Sequence, residues 1–111
     1  AKDYNYINQL GDLLRSLVNS YYKKYGIPLS VIGTNSISRI VFTDQKFKNR
    51  MERDYLEQGT QSKQIEFRKK MLYKNILWPN NGILFTGFCN TKKEIEDLAT
   101  KINETSHEVF S

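Results

Sequence analysis

The feature that most constrains the fold is a long amphipathic stretch at the start of the chain. Its apolar residues recur at steps of three and four, which is the repeat of one helix face. They are Ile7, Leu10, Leu14, Leu17, Val18, Tyr21 and Tyr25. Asp3 or Asn5 can accept from the first free amides. Gly26 can take the left-handed conformation that ends a helix, and Pro28 prevents its continuation. We therefore predict a helix over residues 4–25.

Two β-rich segments follow this helix. Residues 29–32 and 37–43 are rich in β-branched side chains, and Gly33 to Ser36 separates them. This pattern predicts two strands with a tight connection. Residues 44–62 carry many charges without a clean period. We interpret them as a surface excursion with a helical turn around residues 49–56.

The rest of the chain predicts two more helices around one strand. From Gln61 the spacing is helical, with residues 68–70 expected to face water. The predicted apolar face of this helix comprises Ile65, Leu72 and Ile76, with Met71 beside it. Residues 78–82 form a turn cluster, and residues 83–88 a strand. Thr91 and Glu94 have capping-box spacing, which starts a last helix that should end near residues 103–109.

The order of these elements predicts an α+β fold. We expect a small antiparallel or mixed sheet of about three to four strands covered by helices. Helices and strands do not alternate strictly, so a doubly wound parallel sheet is not expected. Residues 1–111 suit one domain.

Composition narrows the cellular setting and the partners. The net charge is +5, and the basic residues are scattered among acids. These basic residues could form the binding surface of a basic module. The simpler interpretation is that they are solvated surface residues, so we expect no nucleic-acid partner. The single cysteine excludes an internal disulfide and indicates a reducing, cytoplasmic location. No apolar run reaches the ~18 residues of a membrane span. The absence of an initiator Met is expected of a piece of a longer protein.

Residues that could carry chemistry do not converge. His107 is the only histidine and Cys89 the only cysteine, and the last helix separates them. One of each cannot assemble a closed zinc site. A small Cys-dependent enzyme would need a depressed Cys89 pKa. Residues 78–82 have two interpretations. They either provide the backbone conformation of a turn, or they form one wall of a ligand site and present amide groups to the ligand. The residues by themselves predict a module without a self-contained active site.

The ordered segments resemble one enzyme family. The stretch from Gly26 to Asp44 begins Gly-Ile-Pro and ends Phe-Thr-Asp, and it is similar to the strand pair in the C-terminal small domain of glutamate-1-semialdehyde aminomutases. The helix from Tyr4 through Gly11 to Leu14 resembles the family's pattern before that pair. Residues 75–97 resemble its Pro-containing turn, final strand and helix start. The similarity runs over residues 4–103.

This resemblance implies a fold-type-I pyridoxal-phosphate (PLP) enzyme of aminotransferase class III. The cofactor, its Schiff-base lysine and the catalytic residues would belong to a large domain that this chain lacks, so we expect the fragment to bind no cofactor and to be inactive alone. The whole enzyme would convert glutamate 1-semialdehyde to 5-aminolevulinate, as a homodimer. Another class III aminotransferase is the alternative within the family.

The resemblance also implies where the substrate side lies. Trp78, Asn80 and Asn81 would line it because of their loop position. Thr86 stands where class III relatives often hold a substrate carboxylate with an Arg. The mutase family carries a Glu after the turn Pro, and this chain has no acid between Pro79 and Gly82. The choice between mutase and transaminase is therefore a preference.

Overall fold

The computed structural model describes residues 4–74, 76, 83–85 and 91–110. Its elements follow the predicted order, and their bounds are α1 Tyr4–Tyr25, β1 Ser30–Thr34, β2 Ile37–Val41, α2 Arg50–Leu56, α3 Gln61–Tyr73, β3 Ile83–Phe85 and α4 Lys92–Phe110. The strands form one antiparallel sheet in the order β1–β2–β3. The predicted α+β class with a small antiparallel sheet is confirmed.

Helix α1 has the predicted bounds, but its buried face differs at the C-terminal end. Gly26 has φ 66°, and the Ile27 amide donates to the Tyr22 carbonyl at 3.0 Å, which closes the helix in a Schellman-type turn. The buried apolar side chains are Leu10, Leu14, Val18 and Tyr22. The expectation that Tyr25 lies on this face is wrong. The buried side chains are spaced by four residues up to Tyr22, and Tyr25 is exposed.

The core lies between the sheet and the two long helices. Val31 and Ile40 point from paired positions of β1 and β2 toward Leu14 and Val18 of α1, and Ile102 of α4 meets them there. Helix α4 also packs along α1 and α3. One apolar cluster therefore joins the hairpin to both long helices.

The predicted apolar face of helix α3 is confirmed for Met71 and for Ile76, which packs against the core, but it is wrong for Ile65 and Leu72. Phe67 and Met71 are fully buried, whereas Ile65 is 44% and Leu72 59% exposed. The Phe67 ring meets Phe42, just after β2, edge-on at 6.0 Å between centroids. A contact between distant segments thus decides which side of α3 turns inward, and helical spacing alone could not reveal it.

Helix α4 begins with the predicted cap and runs slightly further than expected. The Glu94 amide donates to Thr91 Oγ1 at 3.1 Å, as a capping box requires. The helix continues to Phe110, where Lys63 of α3 donates to the Val109 carbonyl at 2.8 Å and lies over the Phe110 ring. This tertiary cap holds the last turn in place.

Candidate functional site

The register of the β1–β2 hairpin gives it two unlike faces. The pairs Val31–Ile40 and Gly33–Ser38 face the helices. The pairs Ile32–Arg39 and Thr34–Ile37 face the other way, and Arg39 is also paired with Ile83 of β3. Ile32 is 38% and Ile37 45% exposed. We call Ile32, Thr34, Ile37 and Arg39 the outer face. Within the described part of the chain, no helix covers its apolar side chains completely.

Arg15 of α1 fixes the turn of the hairpin. Its Nη1 donates to the Ile37 carbonyl and to Ser38 Oγ, each at 2.9 Å, and its Nη2 donates to the Asn35 carbonyl at 3.0 Å. Asp12 pairs with the same guanidinium at 2.6 Å. These contacts occupy Arg15, so its role is to position the hairpin.

Asn19 of α1 holds the edge of β1. Its side-chain amide donates to the Val31 carbonyl at 2.8 Å and accepts from the Val31 amide at 2.7 Å. These bonds satisfy backbone groups that an edge strand leaves unpaired. Together Arg15 and Asn19 fix the hairpin on α1, which sets the orientation of the outer face.

Helix α2 brings charged groups to the side of the outer face. Asn49 caps this helix by accepting from the Glu52 amide at 2.9 Å. At the C-terminal end of α2, Glu57 Oε2 accepts from the backbone amide of Phe42 at 2.9 Å, which ties the segment of residues 44–62 to the end of β2. Arg53 lies beside Glu57, with Nε 3.7 Å from Oε1. The segment of residues 44–62 is therefore anchored to the sheet.

Arg39 is the outer-face residue with unusual electrostatics. Burial, and then the nearby positive charge of Arg53, lower the pKa of its guanidinium. Glu57 and Asp54 act in the opposite direction, and Arg50 adds to the lowering. We call Arg39, Arg50, Arg53, Asp54 and Glu57 the arginine cluster.

His107 packs among tyrosines where α1 meets α4. The Tyr21 hydroxyl lies 3.1 Å from its Nδ1, and the Tyr25 ring meets it edge-on at 5.6 Å between centroids. Burial, followed by Tyr25 and Glu104, raises the Tyr21 pKa. These contacts give His107 a packing role between two helix ends.

An open groove lies along α2. It has a volume of ≈ 420 Å³ and is lined by Gln45, Lys46, Met51, Glu52, Tyr55 and Leu56. Met51 and Tyr55 are among the most exposed apolar side chains of the described residues. The groove carries no convergent set of catalytic groups, since its only ionisable side chains besides Tyr55 are Lys46 and Glu52.

The residues that sequence reasoning assigned to the substrate side lie outside the described residues. These are Trp78, Asn80, Asn81 and Thr86, and Cys89 also lies outside them. The structure does describe β3, which precedes Thr86 and pairs with Ile37, Ser38 and Arg39 of β2. Sequence reasoning missed the arginine cluster. Its signal was an arginine in the middle of the strand from Ile37 to Val41, whose other residues are uncharged.

The described residues do not provide a PLP site by themselves. A lysine that holds this cofactor as an imine is activated by burial or by a nearby cation. Every described lysine is exposed or half-buried. The half-buried lysines are Lys70 and Lys74, and both pair with Glu108 of α4. Lys63 is exposed and donates to the Val109 carbonyl of α4.

The described residues show neither a metal cluster nor a membrane-spanning helix. Nowhere among them do three His, Cys, Asp or Glu side chains come together to hold a metal ion. None of the described helices combines the length and apolar character needed to cross a membrane.

Solved structures match this chain, although no family model and no curated protein sequence does. An omega-transaminase from Sphaerobacter thermophilus matches with a TM-score of 0.79 at 15% identity, over 97% of this chain and 24% of its own. A glutamate-1-semialdehyde aminomutase from Pseudomonas aeruginosa, in complex with PMP, gives 0.78 at 17%, over 96% and 23%. A beta-phenylalanine aminotransferase from Variovorax paradoxus gives 0.74 at 16%, over 88% and 22%.

These matches confirm the predicted fold. The chain has the architecture of the small domain of fold-type-I PLP enzymes, with helices packed on a small antiparallel sheet. It spans about a quarter of the length of the solved structures that it matches. At these identities the likeness establishes the fold, and activity has to be argued separately.

Proposed function

We propose that this chain is the small domain of a class III, PLP-dependent aminotransferase or aminomutase, most like glutamate-1-semialdehyde aminomutase. It acts by packing against a larger cofactor-binding domain and closing one side of the substrate site. The whole enzyme converts glutamate 1-semialdehyde to 5-aminolevulinate, is a homodimer and works in the cytoplasm. The fragment alone has no catalytic activity.

The observation that carries this proposal is that nearly all of this chain aligns with only a small part of each neighbour. The matches extend over 88–97% of this chain but only 22–24% of each neighbour. An omega-transaminase, a glutamate-1-semialdehyde aminomutase and a beta-phenylalanine aminotransferase share this architecture, which supports a common domain rather than a common substrate. The absence of a buried lysine among the described residues agrees with a cofactor held elsewhere.

The proposed substrate side is the segment before β3 and the residue after β3. Trp78, Asn80 and Asn81 precede β3 in sequence, and Thr86 follows it. Amide side chains can donate to a substrate oxygen, and an indole can pack against an apolar part of the substrate. In this proposal these residues orient substrate, and no proton transfer is assigned to them.

The decisive experiment is to read the gene upstream of Ala1 and express the longest open reading frame. We expect an added domain that binds PLP as an imine, trapped by borohydride reduction on one lysine per chain and located by peptide mapping. The 111-residue chain is the matched control and should show no single labelled lysine. A start codon directly before Ala1 would contradict the proposal.

The choice of reaction needs a second measurement on the same long protein. Glutamate 1-semialdehyde alone should yield 5-aminolevulinate if the enzyme is a mutase. A transaminase should instead need an amino donor and a separate keto or aldehyde acceptor. Turnover only with such a pair would retain the class III proposal and reject the mutase assignment.

A further inference from the structure

Helix α2 places no side chain in the core, and yet it is anchored at both ends. None of its own residues is buried. Asn49 Oδ1 accepts from the Glu52 amide at 2.9 Å, and Glu52 Oε2 accepts in turn from the Lys48 amide at 2.7 Å. At the C-terminal end, the Glu57 carboxylate accepts from the Phe42 amide at 2.9 Å. These bonds hold the side chains of α2 in place at the surface without the help of core packing.

The groove along α2, which we call the α2 groove, has an apolar wall. Met51, Tyr55 and Leu56 line it, and Met51 is 81% and Tyr55 70% exposed. Methionine and tyrosine are enriched where proteins bind partners and ligands. The groove volume of ≈ 420 Å³ falls in the range of about 300–1,000 Å³ that small-molecule sites occupy. The α2 groove therefore has the size and the apolar contact area of a small-ligand site.

Lys46 gives the α2 groove its charge preference. Its side chain lines the groove and is exposed, and no carboxylate of the described residues lies within ion-pair distance of it. Glu52 is the only acidic residue in the lining, and its Oε2 already accepts from the Lys48 amide. A free ammonium beside an apolar wall is complementary to a ligand that carries an anionic group on an apolar body.

We propose that the α2 groove binds a small apolar monocarboxylate, with its carboxylate on the Lys46 ammonium and its apolar body against Met51 and Tyr55. A ligand with one aromatic ring or a short alkyl chain suits a groove of ≈ 420 Å³. The nearby Glu52 carboxylate restricts the ligand to one negative charge, because Lys46 balances only one and Glu52 repels a second. This inference is independent of the proposed function, since it uses only α2 and the segment before it.

The test is an NMR titration of the chain labelled with ¹³C at its methionine methyl groups. The chain has two methionines, Met51 in the groove and the fully buried Met71 in the core, and Met51→Leu assigns their signals. Sodium phenylacetate is the probe, and phenylacetamide with sodium chloride at equal ionic strength is its uncharged counterpart. We expect phenylacetate to move the Met51 signal saturably and to leave the Met71 signal in place. Phenylacetamide should bind about threefold to fivefold more weakly, which is the contribution of an exposed ion pair.

Variants separate the charged contact from the apolar one. Lys46→Gln should weaken phenylacetate binding by the same factor of about three to five and leave phenylacetamide binding unchanged. Tyr55→Ala should weaken the binding of both probes about fivefold, because each loses an aromatic contact. Lys69→Gln and Tyr73→Ala are the matched controls, since both residues are exposed on α3, and they should leave both titrations unchanged. Circular dichroism establishes that each variant is folded.

Three results would overturn the proposal. The first is a Met51 signal that moves no more than the Met71 signal. The second is a lack of charge preference, seen as equal binding of the two probes or as unchanged phenylacetate binding in Lys46→Gln. The third is tighter binding of a capped phenylalanine–aspartate dipeptide than of phenylacetate, which would make the groove a docking site for a protein segment. None of these results involves a cofactor or turnover, so the upstream test of the proposed function stands apart from them.

Discussion

Gly11 lies in the interior of α1 at the point where this helix passes the hairpin turn. A Cβ atom built there would overlap the carbonyl oxygen of Asn35. The same oxygen accepts a hydrogen bond from Arg15 at 3.0 Å. Helix propensity therefore favours alanine at position 11, whereas the close approach to the hairpin turn favours glycine.

We predict that Gly11→Ala destabilises the protein. Helix propensity alone would give a gain of about 1 kcal/mol, but separating α1 from the turn should cost about 1–3 kcal/mol. Urea unfolding followed by circular dichroism measures the net change. Ser16→Ala, at an exposed position of the same helix, is the control and should change stability by no more than about 0.5 kcal/mol. A Gly11→Ala protein more stable than wild type would show that α1 does not approach the turn this closely.

Tyr22 links the two long helices through a buried hydroxyl pair. Its hydroxyl lies 2.7 Å from Ser106 Oγ, and Ser106 donates its own proton to the Ile102 carbonyl at 2.8 Å. Tyr22 must therefore be the donor in the pair. Burial raises the pKa of this phenol well above its ordinary value, and the Ser106 contact offsets only part of that shift.

This pKa predicts a loss of stability at alkaline pH. Below about pH 10 the Tyr22 phenol keeps its proton in both the folded and the unfolded protein, so its contribution to stability does not change with pH. Above about pH 10 the unfolded chain loses this proton before the folded protein does. The free energy of unfolding should then fall by up to about 1.4 kcal/mol per pH unit. Urea titrations between neutral and alkaline pH measure this slope.

Tyr22→Phe should flatten the alkaline slope and cost about 1 kcal/mol at neutral pH from the lost hydrogen bond. Tyr73→Phe, at an exposed position of α3, should reproduce the wild-type slope. Equal slopes in wild type and Tyr22→Phe would mean that another group controls alkaline unfolding.

At the scale of elements, the hairpin depends on α1 more than on its own turn. Arg15 contacts Asn35, Ile37 and Ser38, which span the turn and the start of β2. Ser38 is buried, so removing its charged donor leaves its hydroxyl poorly paired. We predict that Arg15→Ala lowers the free energy of unfolding by about 2–3 kcal/mol.

Amide hydrogen exchange should locate this effect. Protection should fall first in β1 and β2, while α4 keeps protection set by global unfolding. Arg50→Ala removes a mostly exposed arginine that pairs with Asp54 at 3.9 Å, and it should cost no more than about 0.5 kcal/mol. A uniform loss of protection after Arg15→Ala would argue against a local role in the hairpin.

The elements also show where sequence reasoning succeeds. Helix α1 and the start of α4 were predictable because Gly26 and Thr91 act locally, through a left-handed turn and a side-chain cap. The buried side of α3 was not, because Phe67 turns inward to meet Phe42 from another part of the chain. The arginine cluster was missed for the same reason, since Arg39 and Arg53 become neighbours only when α2 folds against the sheet.

At the scale of the whole molecule, the lysines that the structure describes are distributed over the surface. This arrangement predicts how the isolated chain reacts with PLP. We expect several scattered imines and no saturable, single-site product, because none of the described lysines is buried. Borohydride reduction and peptide mapping measure the distribution of label.

The two most informative lysines are Lys63 and Lys74. Lys63 donates to the Val109 carbonyl of α4 and Lys74 to the Glu108 carboxylate of α4, so each should react more slowly than exposed Lys92. Concentration of the label on one lysine would mean that the fragment holds a cofactor site of its own, and the proposed division between two domains would have to be revised.

The sequence by itself determined the order and type of the elements, because helix periodicity, β-branched runs, Gly26 and the Thr91 cap act within a few residues of the chain. The tertiary structure alone decided which sides of these elements meet. It selected Tyr22 over Tyr25 and Phe67 over Ile65, and it placed Arg39 beside Arg53. These choices depend on contacts between residues far apart in sequence, where close packing leaves room for one arrangement and local spacing permits several.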